Sequence, residues 1–225
     1  MNDAPRGGIP TPAPRVDRRA QGDPVARLEF FFDCSSPWTY LAFHEIEGVA
    51  AQASAALVWK PILVGGVFNA VNPAVYAARA NPVPARAAYH GKDLADWARR
   101  YGLEIGLPPV FPVNSVKAMR GACYALDRGL LPRYARAVFE AYWGALADIS
   151  DDAVLEGIVR EVGLEPDAFF TAIRGEPYRA KLRANTDELI QRGGFGSPTM
   201  FVDGDDMYFG NDRLVLVRDA LARAR

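Results

Sequence analysis

The chain has 225 residues and a mass of 24.6 kDa, which fits one domain or one domain with a large insertion. Its 26 Lys and Arg nearly balance its 27 Asp and Glu, and this argues against a general nucleic-acid binder, whose charge is usually basic. Two cysteines and two histidines exclude a disulfide framework and leave little for a metal site. There is no apolar run of about 18 residues and no secretory signal, so we expect a cytoplasmic protein without a membrane span.

Residues 1–24 differ in composition from the rest of the chain. They hold five of the 17 prolines and few apolar residues, so they cannot bury enough apolar surface to offset the entropy of ordering. We predict a disordered tail. The alternative, a partner-binding arm, would use Arg15, Arg18 and Arg19, but nearby aspartates almost cancel their charge.

The first half of a fold begins near Val25. Residues 27–33 are rich in aromatics and predict a buried strand, and Ser36 followed by Pro37 is a helix-start signal. Residues 55–63 predict a second strand. Glycine, proline and asparagine are scattered through 64–85, which we expect to be an irregular, exposed connection.

Residues 86–192 carry helical patterns throughout, with apolar stripes that predict a compact helical block. One stripe runs through Val116, Met119 and Cys123, and Asn114 or Ser115 can cap its helix. Further helix starts are marked by Asp151, Pro166 and Pro177.

After residue 193 the pattern returns to strands. Residues 199–203 and 206–209 flank Gly204 as in a hairpin, and 212–224 predict a last helix capped by Asn211. The element order predicts an α/β fold, thioredoxin-like β-α-β then β-β-α, with an all-helical insertion. We therefore expect a thioredoxin-like domain made of 25–63 and 193–225, with a connecting loop and helical insertion at 64–192.

The step from Ser36 to Pro37 is the first candidate site, because the N-terminus of a helix favours an anion. No second cysteine follows Cys34 in a Cys-x-x-Cys pair, so dithiol exchange is not expected, whereas a hydroxyl and backbone donors suit an external thiolate. Ser36 is alternatively a plain N-cap. Cys34 is either a single reactive thiol or a small buried hydrophobe, the commoner role, and we expect Cys123 to be core.

Two further candidates lie near the C-terminus. Gly196-Ser197-Pro198-Thr199 precedes a strand, and a cis Ser197–Pro198 bond would turn the Ser197 backbone toward an extended peptide ligand. The segment Gly210-Asn211-Asp212 opens the last helix, where backbone amides suit a carboxylate and Asp212 suits an ammonium. A simple turn and plain capping are the alternatives.

Three motifs in this order, FFDCSSPWTYLA, PVFPVNSVKAMRGA and GGFGSPTMFVDGDDMYFGNDRL, resemble the 2-hydroxychromene-2-carboxylate isomerase family. That family belongs with the kappa-class glutathione transferases and DsbA-like thioredoxin folds, and the resemblance runs from about residue 27 to the C-terminus. It implies a glutathione-dependent enzyme in which Ser36 is the catalytic residue and hydrogen-bonds the glutathione sulfur. The glutathione-binding residues it implies are Ser36, Pro37, Asn81, Ser197, Phe209, Gly210, Asn211 and Asp212.

The resemblance further implies cis–trans isomerisation of an aromatic-degradation intermediate by thiolate addition, bond rotation and elimination. Rivals are a kappa-class-like transferase or peroxidase, a non-catalytic binding protein, and a single-thiol redox protein using Cys34. A substrate-binding lysine of relatives is missing near Phe68 and Asn69. Cations that could replace it are Lys60, Arg79, Arg86 and Lys117, and rings that could stack on an aromatic substrate are Trp38, Phe68 and Trp97. We expect a small-molecule aromatic substrate, no metal, and no nucleic acid or membrane partner, with a homodimer as the candidate assembly.

Overall fold

A computed structural model describes residues 26–224. The tail predicted for residues 1–24 lies outside the described residues. A four-stranded sheet is formed by β1 Arg27–Phe32, β2 Ala56–Pro61, β3 Thr199–Val202 and β4 Asp206–Phe209, in the order β2-β1-β3-β4. Strand β1 runs parallel to β2 and antiparallel to β3, which is antiparallel to β4. All four predicted strands are confirmed, and so is the thioredoxin-like α/β fold class.

Helices surround the sheet. They are α1 Pro37–Gln52, α2 Val64–Val71, α3 Ala74–Ala80, α4 Pro84–Tyr101, α5 Val116–Leu126, α6 Leu131–Phe139, α7 Asp152–Glu161, α8 Pro166–Arg174, α9 Glu176–Gln191 and α10 Leu214–Arg223. A π-helical turn, Glu140–Gly144, extends α6, and a 3-10 turn, Asn211–Arg213, precedes α10. The helix starts predicted at Asp151, Pro166 and Pro177 are confirmed within a residue.

The side chains of β1 alternate between two apolar layers, as the period of a strand requires. Leu28, Phe30 and Phe32 face the main core, which they share with α1 and the helical block. Phe31 points to the other face of the sheet, where it packs with Ile62, Val67, Leu189 and Phe201 under α2 and α9. Strand β1 is therefore buried on both faces, as its aromatic run predicted.

The prediction of an irregular connection over 64–85 is wrong, because this span forms α2, α3 and the start of α4. Helix α2 contains a Gly-Gly pair, yet it buries Val64 and Val67, and this packing overrides the weak helix propensity of glycine. Four of the seven residues of α3 are alanine, the best helix former. The asparagines and prolines that suggested a loop instead mark the ends of these short helices.

One other expectation needs correction, and the structure decides between two alternatives for the cap of α5. The helical signal is interrupted between α4 and α5, where 103–115 lack helix, because Gly102 ends α4 in a left-handed conformation and prolines follow. At the start of α5 the side chain of Asn114 accepts from the N–H of Val116 at 3.1 Å, whereas the Ser115 side chain makes no cap bond. Ser115 has a different partner, described below.

Candidate functional site

The N-terminus of α1 lies directly after β1, and Ser36 is its N-cap. The Ser36 backbone is extended, and its Oγ accepts a hydrogen bond from the N–H of Thr39 at 3.2 Å while Pro37 occupies the first turn. The Ser36 hydroxyl donates to the carbonyl oxygen of Ser197 at 3.3 Å. This donor bond is long, so the hydroxyl proton is available to a better acceptor placed at the helix N-terminus.

The Ser197–Pro198 peptide bond is cis, which confirms that prediction. The buried Ser197 side chain is anchored twice: its Oγ lies 2.8 Å from the Thr39 Oγ1 and accepts from the N–H of Asp33 at 3.0 Å. Ser197 is thus fixed against the start of α1 by side-chain bonds as well as by its carbonyl. The two loops that carry the predicted thiolate site form one hydrogen-bonded unit.

The segment Gly210–Asp212 packs against the same loop, and the N–H of Gly210 donates to the Pro198 carbonyl at 3.1 Å. Gly210 has φ of 102°, which favours glycine. Asn211 does not cap the last helix as predicted: it lies within the 3-10 turn, and its Nδ2 has no hydrogen-bond partner among residues 26–224 although the residue is only 3% exposed. Asp212 forms an ion pair with Arg213 at 3.1 Å.

A cavity of about 500 Å³ unites these features. Its wall includes five of the predicted glutathione-binding residues, namely Ser197, Phe209, Gly210, Asn211 and Asp212, together with Trp38, Trp97 and Pro198. Ser36 lies one hydrogen bond behind this wall, through the carbonyl of Ser197. A volume of this size is typical of small-molecule sites.

Sequence reasoning missed four residues of the wall. Tyr89, His90 and Asp93 come from α4, and Arg213 comes from the 3-10 turn. The His90 ring meets the Trp38 ring edge-on, with centroids 6.0 Å apart. Only the packing of α4 against α1 brings the α4 residues here, so no local pattern marked them, whereas Arg213 is adjacent to a motif already singled out.

Several predicted residues lie outside the cavity wall. Asn81 is exposed at the C-terminal end of α3, and Phe68 instead contacts Tyr76 edge-on at 6.4 Å. Two of the candidate cations are engaged elsewhere, because Lys60 pairs with Glu188 at 2.8 Å and Lys117 with Asp152 at 2.7 Å. Arg79 lies over the rings of Phe68 and Phe111, and Arg86 is exposed on α4.

Both cysteines are buried. Cys34 has no exposed surface, its N–H points at the Met119 sulfur, and its carbonyl accepts from the Trp143 indole at 2.9 Å. Burial, with the nearby Asp33 charge, raises the pKa of the Cys34 thiol well above its usual range, and burial raises that of Cys123 to about 12. Neither thiol is poised as a thiolate, in agreement with their predicted core roles.

A buried carboxyl lies beneath the site. Asp33 accepts from the N–H of Ser35 at 2.9 Å, from the N–H of Val64 at 2.8 Å and from the hydroxyl of Ser115 at 3.0 Å. Burial raises the pKa of Asp33, and the three donors oppose that rise. Asp33 therefore joins the end of β1 to the starts of α2 and α5.

The sheet order and the helix that follows β1 define a thioredoxin fold. Its two cysteines, Cys34 and Cys123, are free and buried, so they do not form a redox dithiol. Comparison with known proteins supports this fold assignment. The chain belongs to the DsbA-like thioredoxin domain family, whose model matches residues 27–222. No helix within residues 26–224 combines the length and the apolar character needed to cross a membrane.

The relatives are of two named kinds, and they confirm the resemblance seen in the sequence. A 2-hydroxychromene-2-carboxylate isomerase of Sphingobium xenophagum is 29% identical over 187 residues, covering 83% of this chain and 93% of its own length. Glutathione S-transferase kappa 1 of Caenorhabditis elegans is 26% identical, covering 88% and 91%. A solved structure of a 2-hydroxychromene-2-carboxylate isomerase superposes with a TM-score of 0.74 at 26% identity, covering 88% of this chain and 95% of that one.

Proposed function

We propose that this protein is a glutathione-dependent isomerase of a 2-hydroxychromene-2-carboxylate-type substrate. The observation that carries the proposal is the cavity that joins the cis-proline loop, the Gly210–Asp212 segment and Trp38 beside the N-cap hydroxyl of Ser36. Relatives named as isomerases at similar length support the isomerase class. Relatives named as kappa-class glutathione transferases support glutathione as the cofactor.

The residues of the wall fit glutathione. The buried Asn211 Nδ2 has no partner among residues 26–224, and such an orphaned donor is stabilised by a ligand acceptor. The backbone amides of the 3-10 turn would bind a ligand carboxylate. The Asp212 carboxylate would bind a ligand ammonium group while also keeping its ion pair with Arg213. Ser197 would hold the backbone of the tripeptide, and Ser36 with Pro37 would face its sulfur.

When bound, glutathione would supply a thiolate nucleophile, which is the chemistry needed to turn a conjugated double bond reversibly into a rotatable single bond. The hydroxyl of Ser36 would donate to the sulfur and, with the positive end of α1, would favour its charged form. Trp38 and Trp97 give the substrate side of the cavity two aromatic faces. The walls would hold the two reactants together, which lowers the entropic cost of the reaction.

The substrate carboxylate needs a cation, and the structure revises the candidates. Arg213 lies in the cavity wall, whereas none of Lys60, Arg79, Arg86 and Lys117 does. We propose Arg213 for this role, with His90 as a second polar group in the same wall. Asn81 stays a prediction as a ligand contact, as do the homodimer, the cytoplasmic location and the boundaries of the helical insertion.

A kappa-class-like transferase is the second candidate, favoured by the relative that is 26% identical over most of both chains. It would share the glutathione half of the cavity and differ in the electrophile accepted by the half that α4 lines. Turnover of a ring-opened hydroxychromene carboxylate without loss of free glutathione would identify the isomerase. Consumption of one glutathione per electrophile would identify the transferase.

The test of the glutathione site is a titration of the purified protein with glutathione near neutral pH, followed through the ultraviolet band of the thiolate. We expect a saturable thiolate band, because free glutathione is mostly protonated under these conditions. S-methylglutathione, which has no ionisable thiol, is the control ligand: it should compete for the site without producing the band. A protein that gives no band and does not retain glutathione would refute the proposal.

Cys34→Ala, assayed for isomerase activity, tests the alternative that the protein is a single-thiol redox protein. Because the Cys34 sulfur is buried and its pKa is raised by that burial, we expect the variant to keep at least about half of the isomerase activity. Iodoacetamide should likewise leave native Cys34 unmodified, since alkylation needs an accessible thiolate. A folded but inactive variant would favour the redox protein instead.

A further inference from the structure

A second cavity, of about 290 Å³, lies between α2, α5 and α9. None of its lining residues belongs to the wall of the cavity described above. Its apolar lining comes from Leu63, Val116, Leu182 and Ile190. The volume is near the lower end of the range for small-molecule sites, so a ligand here would be smaller than a tripeptide.

The polar lining of this cavity is mostly cationic. Arg120 reaches it from α5, and Arg179 and Arg183 reach it from α9, against a single carboxylate of Asp187. Arg179 forms an ion pair with Glu176 at 3.4 Å, but Arg183 has no ion-pair partner among residues 26–224. Three arginines and one aspartate around an apolar floor give the wall a net positive charge.

Arg120 is the residue that most needs a ligand. Its one hydrogen bond runs from Nη1 to the Ile173 carbonyl at 3.3 Å, and its buried Nε has no acceptor among the described residues. Burial and the neighbouring Arg179 charge lower the pKa of the Arg120 guanidinium, only partly opposed by Glu176. A guanidinium that is partly desolvated and lies near a like charge is stabilised by an anion placed between the two.

We propose that this cavity binds a small carboxylate with an apolar body. The guanidinium groups of Arg120 and Arg183 hold the carboxylate, since arginine matches the planar geometry of that group. The ring or chain of the ligand lies on Leu63, Val116 and Leu182. An anion without an apolar part would leave that floor exposed, and a neutral molecule would leave the arginines uncompensated.

The cavity also touches the framework of the glutathione site. Leu63 lies in its wall, and the N–H of Leu63 donates to the Thr186 Oγ1 at 3.0 Å on α9. The next residue, Val64, donates to Asp33. The proposed site is thus separate from the first cavity yet shares its supporting backbone, and it does not depend on whether glutathione binds.

Benzoate is a suitable probe, with benzamide as the neutral control and sulfate as the anion without an apolar body. The full chain, labelled with nitrogen-15, is titrated with each while the amide resonances of Gly66, Leu182 and Ile190 are followed. We expect benzoate to shift these amides saturably, with a Kd below about 20 mM, a weak affinity of the millimolar class. Shifts at Gly210 or Asp212 would indicate binding in the first cavity and are not evidence for the second site.

Substitutions separate this site from nonspecific binding. Arg120→Gln should weaken benzoate binding about tenfold, on the scale of a charge-assisted hydrogen bond. If Arg120→Gln does not fold, the double change of the exposed Arg179 and Arg183 to Gln carries the test and should weaken binding about threefold or more. Arg100→Gln, an exposed charge loss on α4, should bind benzoate like the wild type.

The proposal fails on any of three results. The first is that benzoate shifts none of the three amides up to about 20 mM, the limit set above. The second is that benzamide or sulfate binds as tightly as benzoate, which would remove the stated ligand chemistry. The third is that the double variant binds benzoate as the wild type does, which would remove the arginines from the site.

Discussion

At the scale of single residues, Ser36 has two roles, which a comparison with a second N-cap variant can separate. It caps α1 by accepting from Thr39, and it presents a hydroxyl to the proposed sulfur. Ser36→Ala removes both, so turnover should fall about tenfold or more through the lost donor, while stability falls by about 1 kcal/mol through the lost cap. The pKa of bound glutathione, read from the thiolate band against pH, should rise.

The matched control for Ser36→Ala is Asp151→Ala, which removes the N-cap of α7 by taking away the acceptor for the Ala153 N–H. It should cost a similar amount of stability and leave the thiol pKa alone. Equal thiol pKa values in the wild type and Ser36→Ala would reduce Ser36 to an ordinary N-cap.

Asp212 is the residue on which ligand affinity should depend without any change in chemistry. Asp212→Asn keeps the shape and removes the charge, so glutathione affinity should fall by about 1–3 kcal/mol, the scale of a charged hydrogen bond. Because this contact is the same in ground and transition states, kcat at saturation should change little. Calorimetric titration measures the affinity, and Asp219→Asn, an exposed charge loss on α10, is the control. Normal binding by Asp212→Asn would leave Asp212 as a partner of Arg213 alone.

At the scale of elements, Gly121 lets three helices approach closely. A Cβ on this residue of α5 would overlap the Tyr134 hydroxyl of α6 and lie 2.6 Å from Cζ of the Phe169 ring of α8. Gly121→Ala should therefore lower the free energy of unfolding by about 1–3 kcal/mol, the usual cost of overpacking. Gly157→Ala, on the exposed side of α7 with nothing within 4 Å, should instead raise it by about 0.5–1 kcal/mol. Chemical denaturation measures both, and equal effects would contradict the packing argument.

The elements also show where sequence reasoning succeeds. The cis Ser197–Pro198 bond was predicted from the family resemblance, because the local sequence alone indicates only a turn. Strand β1 and the capped start of α1 were predictable because their signals are local: an aromatic run and a Ser-Pro step. Helix α2 was not, because the burial of Val64 and Val67 that stabilises it depends on α9, far along the chain. The cavity followed the same rule, since the motif residues Ser197 and Asn211 were predicted, whereas Tyr89, His90 and Asp93 of α4 were not.

At the scale of the whole molecule, one carboxyl ties the sheet to the helices around it. Asp33 directly follows β1, accepts from Val64 at the start of α2 and from Ser115 just before α5, and gives its own N–H to the Ser197 hydroxyl. These bonds fix the backbone around both loops of the proposed site. They also place an ionisable group where water cannot reach it, since Asp33 has no exposed surface.

That placement predicts a specific dependence of stability on pH. Burial raises the pKa of Asp33 in the folded protein above its ordinary 3.8, so over the window between the two values the folded protein keeps a proton that the unfolded chain has released. The contribution of Asp33 to stability is fully present below pH 3.8 and is lost as the pH rises through the folded pKa, by about 1.4 kcal/mol per pH unit of that window.

Asp33→Asn removes this titration while leaving an amide that cannot accept from all three donors. The variant should be less stable than the wild type in acid, and the difference between their free energies of unfolding should shrink as the pH rises. Cys34 and Tyr142, the neighbouring groups that titrate, stay neutral through this range because burial raises the pKa of each. Ser115→Ala, which removes one donor to the carboxylate, should raise the pKa of Asp33 and extend the fall in stability to higher pH. Denaturant unfolding across the acid-to-neutral range measures the free energy of unfolding of all three proteins. If the difference in that free energy between Asp33→Asn and the wild type stayed constant with pH, Asp33 would have the same protonation state in the folded and unfolded chain.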